Sequence, residues 1–485
     1  MGAVTTRSAA PPGAGRASGR ALLAAGIAAA AAAGAGYLAY ALRHPEHWTL
    51  FPVDLGVYQS GGLIVRHVPP LFSSHSTAPL YTWPGYDGLH LKFTYPPIAA
   101  LVFAAVSFIP WRALPSLSVS ANLVLLVAAA WITLRALGYR ALRVRLGAAL
   151  LVAAVMLWSE PVVRTIYLGQ VNLALMVLIL WDLTQRDTAA SRWWKGAGVG
   201  LAAGIKLIPL IFIPYLLLVR KFRQAAVAAA AFAGTIAIGW AADPGDSARW
   251  WLGGLFIQGG RTGFVGWEGN QSPLGFITRE AGSVAAAQPL WLAAAALTGA
   301  IGLAAAAVLT RAGHELAGLL ACALTALLVS PVSWDHHWVW VVPGVAVAAH
   351  YGLRAWRSGG SRWPAVGCWA LAAGMILVYG AWPDPLLGMA SSVAPFNFGL
   401  LWTPPYTDPS LYYAHGDQPW FAEYHWHGSQ LLAGNSFLLG GLVLLAVLAA
   451  LAVREGAAAR ARQAGSVLPP GPARVRALTR RQMRG

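Results

Sequence analysis

From Ala21 to Leu42 the chain carries no charged residue, and uncharged apolar runs of similar character recur almost to its C-terminal end. A helix crossing the hydrocarbon core of a bilayer needs about 20 predominantly apolar residues, and a water-soluble fold cannot bury so many such runs. Composition points the same way. Of 485 residues 57% are hydrophobic and 11% charged, with a mean hydropathy of +0.57, whereas soluble domains carry about 25% charged residues. The chain therefore reads as an all-α polytopic membrane protein. Disordered, disulfide-framework and nucleic-acid-binding classes are excluded at the same step. Cys322 and Cys368 both fall inside apolar runs and read as packing residues.

The net charge of +17 matters through its placement. Eight arginines lie between Arg454 and Arg484, and Arg7, Arg16 and Arg20 precede the first run. Basic ends beside membrane spans are expected on the cytoplasmic side, where anionic lipid attracts them. Residues 1–19 read as a disordered basic cytoplasmic leader, 20–453 as the membrane domain and 454–485 as a disordered basic cytoplasmic tail. The Ala21–Leu42 run is too long for a signal-peptide core and reads as an uncleaved first span.

Further spans are expected near 114–134, 146–160, 168–185, 224–241, 288–310, 316–333, 338–353, 364–381 and 429–453. Two segments are read by their charged flanks. Pro96 to Pro110 is short and bounded by prolines, and as an interfacial helix on the outer surface it leaves Arg135, Arg140, Arg143 and Arg145 inside. Gly196 to Val219 has basic residues at both ends, so a Gly/Pro-broken hairpin turning near Lys206–Pro209 keeps both clusters inside. The expectation is twelve crossings with both termini cytoplasmic. Three long outer loops follow, 44–95, 242–287 and 382–428, rich in Trp, Tyr, His and Pro, and the last has no Lys or Arg. An aromatic outer surface suits work on the outer face, and it also suits an ordinary interfacial belt.

Several residues on that rim can carry chemistry. Asp54, in Asp54-Leu55-Gly56-Val57-Tyr58, sits just beyond the first span in an apolar and aromatic segment. A carboxylate at a low-dielectric surface gains basicity and can accept a proton from a sugar hydroxyl; the same Asp54 could also cap a short helix. Tyr95 in Phe93-Thr94-Tyr95-Pro96-Pro97 could line a site or belong to a helix start. Ser330-Pro331-Val332-Ser333-Trp334-Asp335-His336-His337 places ionisable groups at a helix end, where His336 or His337 could hold a phosphate. Adjacent histidines chelate poorly, and His425 with His427 lacks further ligands at metal spacing, so no metal is expected. Lys206, one of four lysines, needs an anion or an aqueous cavity at its depth, or else snorkels to the interface. Arg164, Gln170 and Asn172 join the same rim, as ligand-binding or helix-pairing groups.

In this order, Asp54-Leu55-Gly56-Val57-Tyr58, Phe93-Thr94-Tyr95-Pro96-Pro97, Gly169-Gln170-Val171-Asn172, Gly204-Ile205-Lys206 and Ser330-Pro331 with His336-His337 resemble glycosyltransferase family 87. These are polyprenol-phosphate-mannose-dependent α-1,2-mannosyltransferases of actinobacteria that extend phosphatidylinositol mannosides and lipoarabinomannan. The resemblance covers roughly residues 20–453. It implies a GT-C fold, a helix bundle with the catalytic aspartate in the first outer loop and a lipid donor held between helices. It further implies Asp54 as general base, with His336, His337, Lys206, Arg164, Gln170, Asn172, Tyr95 and Tyr58 around the donor phosphate and sugar. Many GT-C enzymes carry a paired acidic motif here. Asp54 has no adjacent acidic partner, which favours a mechanism without a metal or other cofactor.

The implied partners are a polyprenyl-phosphate-linked sugar donor, a mannosylated lipid or lipoglycan acceptor, and membrane lipid, with no nucleic acid. The alternatives are a GT-C transferase for another lipid-linked sugar, and a secondary transporter or flippase. A broken hairpin with an intramembrane Lys206 suits the transporter; the absence of an inverted repeat and the collection of polar residues at one face speak against it.

Overall fold

The computed structural model describes residues 14–43, 52–68, 79–83, 91–381, 399–408, 411–412 and 415–467. Its first half comprises α1 (Ala14–Arg43), α2 (Val53–Val65), α3 (Pro97–Val106), α4 (Leu114–Ala136), α5 (Leu142–Met156), α6 (Glu160–Leu168), α7 (Asn172–Leu183), α8 (Ala197–Ile205), α9 (Phe212–Leu218) and α10 (Phe222–Ala242). There follow α11 (Pro244–Trp251), α12 (Pro273–Ala281), α13 (Val284–Arg311), α14 (Glu315–Val329), α15 (Val341–Arg357), α16 (Trp363–Val378), α17 (Ser429–Gly434) and α18 (Ser436–Val467). Among the described residues no strand forms, and the isolated bridges pair Ser159 with Gly380 and Asn270 with Trp334.

Local chemistry sets the helix ends. Asp243, Ser272 and Ser283 accept the N–H of Asp246, Gly275 and Ala286, capping α11, α12 and α13. α3 and α6 carry a proline, Pro97 and Pro161, at their first and second positions, where the missing N–H has no helical partner to lose. Gly169 ends α6 with φ of 71°, and a Cβ on it would stand 2.6 Å from Leu55 Cβ. Only glycine meets both demands, so the end of α6 packs directly on α2 beside Asp54.

Small residues then fix how the helices run. A Cβ on Gly26 would meet the Gly147 carbonyl at 2.4 Å, while Gly19 faces Val144 and Gly36 faces Trp158. The paired positions ascend together, so α1 and α5 lie parallel with backbones almost touching. Gly196, Gly200 and Gly204 meet Gln224, Ala228 and Thr235 in the same ascending order, so α8 and α10 are parallel as well. The chain between them must double back, and α9 is the returning limb. In α13 and α14 the order reverses, Gly302 meeting Thr325 and Gly318 meeting Thr310, as in an antiparallel pair. These directions bring the ends of α5, α8 and α14 and the start of α7 to one end of the bundle. A separate aromatic cluster of Tyr58, Tyr81, Trp83, Phe93, Tyr95, Phe103 and Trp250 packs there.

Among the described residues five helices, within α1, α4, α10, α13 and α18, are long and apolar enough to cross a membrane, and six if α6 and α7 count as one broken span; this supports a multi-pass membrane protein without showing twelve crossings. The expected span at 168–185 holds α7, and α6 before it meets it at a bend of 116°. Hydropathy averages along the sequence and cannot see such a bend, whereas the break at Lys206 falls where glycine and proline predicted it. Exposed Leu38, Val124 and Val443 on α1, α4 and α18 suit a lipid-facing surface. The tail differs too. α18 continues to Val467, because the Ala- and Arg-rich stretch after Arg454 favours helix. Helix also takes in residues 14–19 of the expected leader, whereas 1–13, 468–485 and parts of the first and third outer loops lie outside the described residues.

Gly147→Val, which forces a side chain against the Leu22 carbonyl 2.5 Å away, should cost about 1–3 kcal/mol of stability. The denaturation midpoint of the protein in mild detergent should fall. Gly34→Ala, whose Cβ meets nothing within 4 Å, should hold or raise it. Equal midpoints for the two variants would refute the tight α1–α5 contact.

Candidate active site

α2, α6, the break after α8 and the connection between α14 and α15 enclose a cavity of about 690 Å³, within the usual range for a small-molecule site. Asp54 stands on its wall in the first turn of α2. The N-cap position belongs to Pro52 and the Asp54 side chain forms no capping bond, so the helix-cap reading of Asp54 is not met. The carboxylate is half-buried, reached only through the cavity. Burial raises its pKa above the usual carboxylate range, outweighing His336, a hydrogen bond from Gln170, Lys206 and Arg164, which all favour the ionised form.

Behind Asp54 runs a relay of hydroxyls. Tyr58 donates to Gln170 Oε1 at 2.8 Å, and its oxygen is 2.8 Å from the Tyr95 hydroxyl. Because the Tyr58 proton is committed to Gln170, Tyr95 is the donor in the second bond. Gln170 Oε1 is thereby occupied, which turns the amide N–H toward Asp54. Tyr58 stacks on Phe103 with centroids 4.3 Å apart, fixing the relay in the aromatic cluster.

Facing Asp54 is a cationic group. Lys206, freed where α8 breaks, donates to Asn172 Oδ1 at 2.9 Å and lies 2.9 Å from His337 Nε2. An ammonium can only donate, so His337 presents a lone pair there and carries its proton on Nδ1. Asn172 also donates to the His336 carbonyl at 2.8 Å, and Thr165 reaches the same oxygen at 3.3 Å. His336 Nε2 and His337 Nδ1 are buried and have no protein partner. Both residues line the cavity, so His337 Nδ1–H is available to an oxygen of a bound anion and His336 Nε2 to a hydrogen-bond donor of a ligand.

Asp335 holds this arrangement together. Its Oδ1 accepts His336 Nδ1 at 2.8 Å and its Oδ2 accepts Arg164 Nε at 3.0 Å. Burial by itself would raise this carboxyl, but the Arg164 guanidinium and the His336 ring reverse that and hold it at about 2. Arg164 lies also 3.9 Å from Glu160, whose Oε1 accepts the Trp402 indole N–H at 3.0 Å. Asp335 therefore fixes the His336 tautomer, with Nδ1 protonated toward the carboxylate and Nε2 toward the cavity.

Asp54, Tyr95, Arg164, Gln170, Lys206, His336 and His337 all line the one cavity, with Tyr58 and Asn172 one hydrogen bond behind. Arg164 is engaged by Asp335, which makes it a support for His336. Sequence reasoning assigned no role to Asp335, Glu160 or Trp402. Asp335 had a signal, a carboxylate directly beside a histidine pair; Glu160 and Trp402 had none. His425 and His427 bond to backbone carbonyls of Pro419 and His425, and among the described residues no three His, Cys, Asp or Glu side chains gather as a metal cage.

Comparison with known proteins bears on the same residues. The family model for glycosyltransferase family 87 matches residues 93–331, which include Tyr95, Arg164, Gln170, Asn172 and Lys206. The chain is 36% identical over 292 residues to a polyprenol-phosphate-mannose-dependent alpha-(1-2)-phosphatidylinositol pentamannoside mannosyltransferase of Mycobacterium tuberculosis (strain CDC 1551 / Oshkosh), covering 60% of this chain and 64% of that protein. It is 34% identical over 322 residues to a polyprenol-phosphate-mannose-dependent alpha-(1-2)-phosphatidylinositol mannoside mannosyltransferase of M. tuberculosis (strain ATCC 25618 / H37Rv), covering 64% and 72%. A pentamannoside mannosyltransferase of Mycolicibacterium smegmatis is 34% identical over 268 residues, covering 55% and 63%. The chain thus spans slightly less than two thirds of the two pentamannoside enzymes. No solved structure matches. With the match extending over most of the cavity wall and 72% of one relative, the chain belongs to glycosyltransferase family 87.

Proposed function

We propose that the chain is an inverting mannosyltransferase of the GT-C type, moving mannose from polyprenol-phosphate-mannose to a 2-hydroxyl of a mannosylated phosphatidylinositol lipid on the outer face of the membrane. One observation carries the reading. A single carboxylate with raised basicity, Asp54, shares a cavity with Lys206 and two unpartnered imidazole nitrogens of His336 and His337. Transfer from a sugar phosphate needs these two halves, a base for the incoming hydroxyl and a cationic seat for the outgoing phosphate. The names of the relatives support the donor and the class of acceptor.

In this mechanism Asp54 takes the proton of the acceptor hydroxyl as its oxygen attacks the anomeric carbon. The bond between that carbon and the phosphate oxygen breaks, and its electron pair leaves with the phosphate. Attack opposite the leaving group converts a β-linked donor into an α-linked product. The leaving phosphate is a weak base, so it needs stabilising charge more than a proton; Lys206 and the His337 Nδ1–H supply it, with the His336 ring beside them. Because these groups already answer the phosphate charge, the proposal includes no metal ion.

Asp54→Asn should lower transfer of labelled mannose by about 10²–10⁴-fold in purified membranes. Near-normal transfer would remove Asp54 as the base. In the unsubstituted protein the rate should fall with pH as Asp54 takes up its proton, above the usual carboxylate range because burial raises its pKa. Asp335→Asn removes the charge-assisted bonds that hold the His336 ring and Arg164. Transfer should fall about tenfold or more with donor KM raised; uniform loss at unchanged donor KM would make Asp335 purely structural. EDTA should leave the rate intact, and a loss restored by Mg²⁺ or Mn²⁺ would contradict the metal-free mechanism.

A further inference from the structure

Three cationic side chains line the cavity, Arg164, Lys206 and Arg261. Two of them are accounted for. Arg164 is bound to Asp335, and Lys206 is held by Asn172 and His337 in the group facing Asp54. Arg261 is different. It sits in the turn Gly259–Thr262 of the loop between α11 and α12. Its hydrogen bond is a long one, from Nη2 to the Tyr81 carbonyl at 3.5 Å, and its buried Nε has no partner. Among the described residues no carboxylate pairs with it. A guanidinium left this way at a low-dielectric wall calls for an anion.

The surroundings say which kind of molecule brings it. Leu252 and Ile257, on the same loop, are 79% and 73% exposed, and Phe256 beside them is partly exposed. An apolar rim with one cation at its edge matches a lipid headgroup, with acyl chains against the rim and phosphate against the guanidinium. On the inner side, Arg261 lies 6.0 Å from the Tyr81 ring, which stacks on Trp250 at 5.1 Å. The Tyr81 hydroxyl donates to the Tyr95 carbonyl at 2.7 Å, and Tyr95 belongs to the relay behind Asp54. A packed aromatic layer therefore connects Arg261 to the relay behind Asp54, and Trp250 and Tyr95 of it line the cavity.

We propose that Arg261 is the seat of the acceptor's own phosphodiester, so that the cavity holds two anions at once, the donor phosphate at Lys206, His336 and His337 and the acceptor phosphate at Arg261. The inference rests on the proposed mannosyl transfer and sharpens it. The acceptor is an anionic, phosphate-bearing mannolipid, selected by charge over a neutral mannoside with the same glycan.

The test uses the full chain in lipid nanodiscs and two acceptors, a phosphatidylinositol mannoside and an alkyl mannoside of equal glycan length. The unsubstituted protein should prefer the charged acceptor in kcat/KM, and Arg261→Gln should reduce that preference about tenfold or more, the usual worth of a charge-assisted hydrogen bond. The loss should fall on acceptor KM, and Arg261→Lys should restore part of it. Equal loss for both acceptors, a rise in donor KM, or no change in the ratio would each overturn the assignment. Equal loss confined to nanodiscs containing phosphatidylglycerol would identify a bulk lipid headgroup at Arg261 in place of the acceptor. Equilibrium binding of the two acceptors, read by tryptophan fluorescence, separates this inference from the reaction itself. Charge preference abolished by Arg261→Gln without mannose transfer would leave Arg261 standing and refute the transferase reading; transfer without charge preference would do the reverse.

Discussion

A guanidinium with 7% of its side chain exposed, Arg164, lies between Asp335 at 3.0 Å and Glu160 at 3.9 Å, and the working end of the bundle is organised around it. Breaking a buried pair strands a charge at a cost of about 3–5 kcal/mol, so α6 and the α14–α15 connection are held in one relative position. The bond joins residues 171 apart in the chain. Through Asp335 it orients His336, and the His336 carbonyl is in turn gripped by Thr165 and Asn172. The dipoles around the proposed phosphate seat are thus set before any substrate binds, which is where electrostatic stabilisation of a transition state gains most.

The groups that face the cavity stand at interruptions of helices. Gly169 ends α6, Lys206 follows the last turn of α8, and Ser330 ends α14. Irregular backbone at membrane depth survives only where other groups satisfy it, and here side chains do so: Asn172 and Thr165 bond the His336 carbonyl, and Ser333 donates to the Leu327 carbonyl. The same interruptions that shorten the apparent spans create the polar site.

Beside the site the described parts of segments 242–287 and 399–428 are tied to the bundle by buried polar bonds. Arg279 donates to the carbonyls of Trp267 and Asn270 and to the Asn435 side chain at the start of α18. Glu423 accepts bonds from Thr407 and from the Tyr412 hydroxyl, and burial raises the pKa of its carboxyl. Tyr412 stacks on Phe264 at 4.5 Å, and both line the cavity. These anchors keep an aromatic wall of the cavity in place, apolar enough to limit water inside it.

The sequence by itself determined the class of the protein and much of the site's membership. Uncharged apolar runs can only be lipid-facing or bundle-forming helices, and isolated ionisable residues beside them, Asp54, Lys206, His336 and His337, are too costly to be incidental. Local patterns also located the break near Lys206–Pro209, because proline and glycine act on their own backbone. What local patterns could not supply was pairing. Nothing near Arg164 in the chain announces Asp335, and nothing near Arg261 announces that no carboxylate among the described residues pairs with it. Whether α6 and α7 form a straight span or a bend of 116° is decided by Gly169 pressing on Leu55, a contact over a hundred positions away. Burial, charge neutralisation and helix direction belong to the packed bundle, since each is a property of distances between segments that the order of residues leaves free.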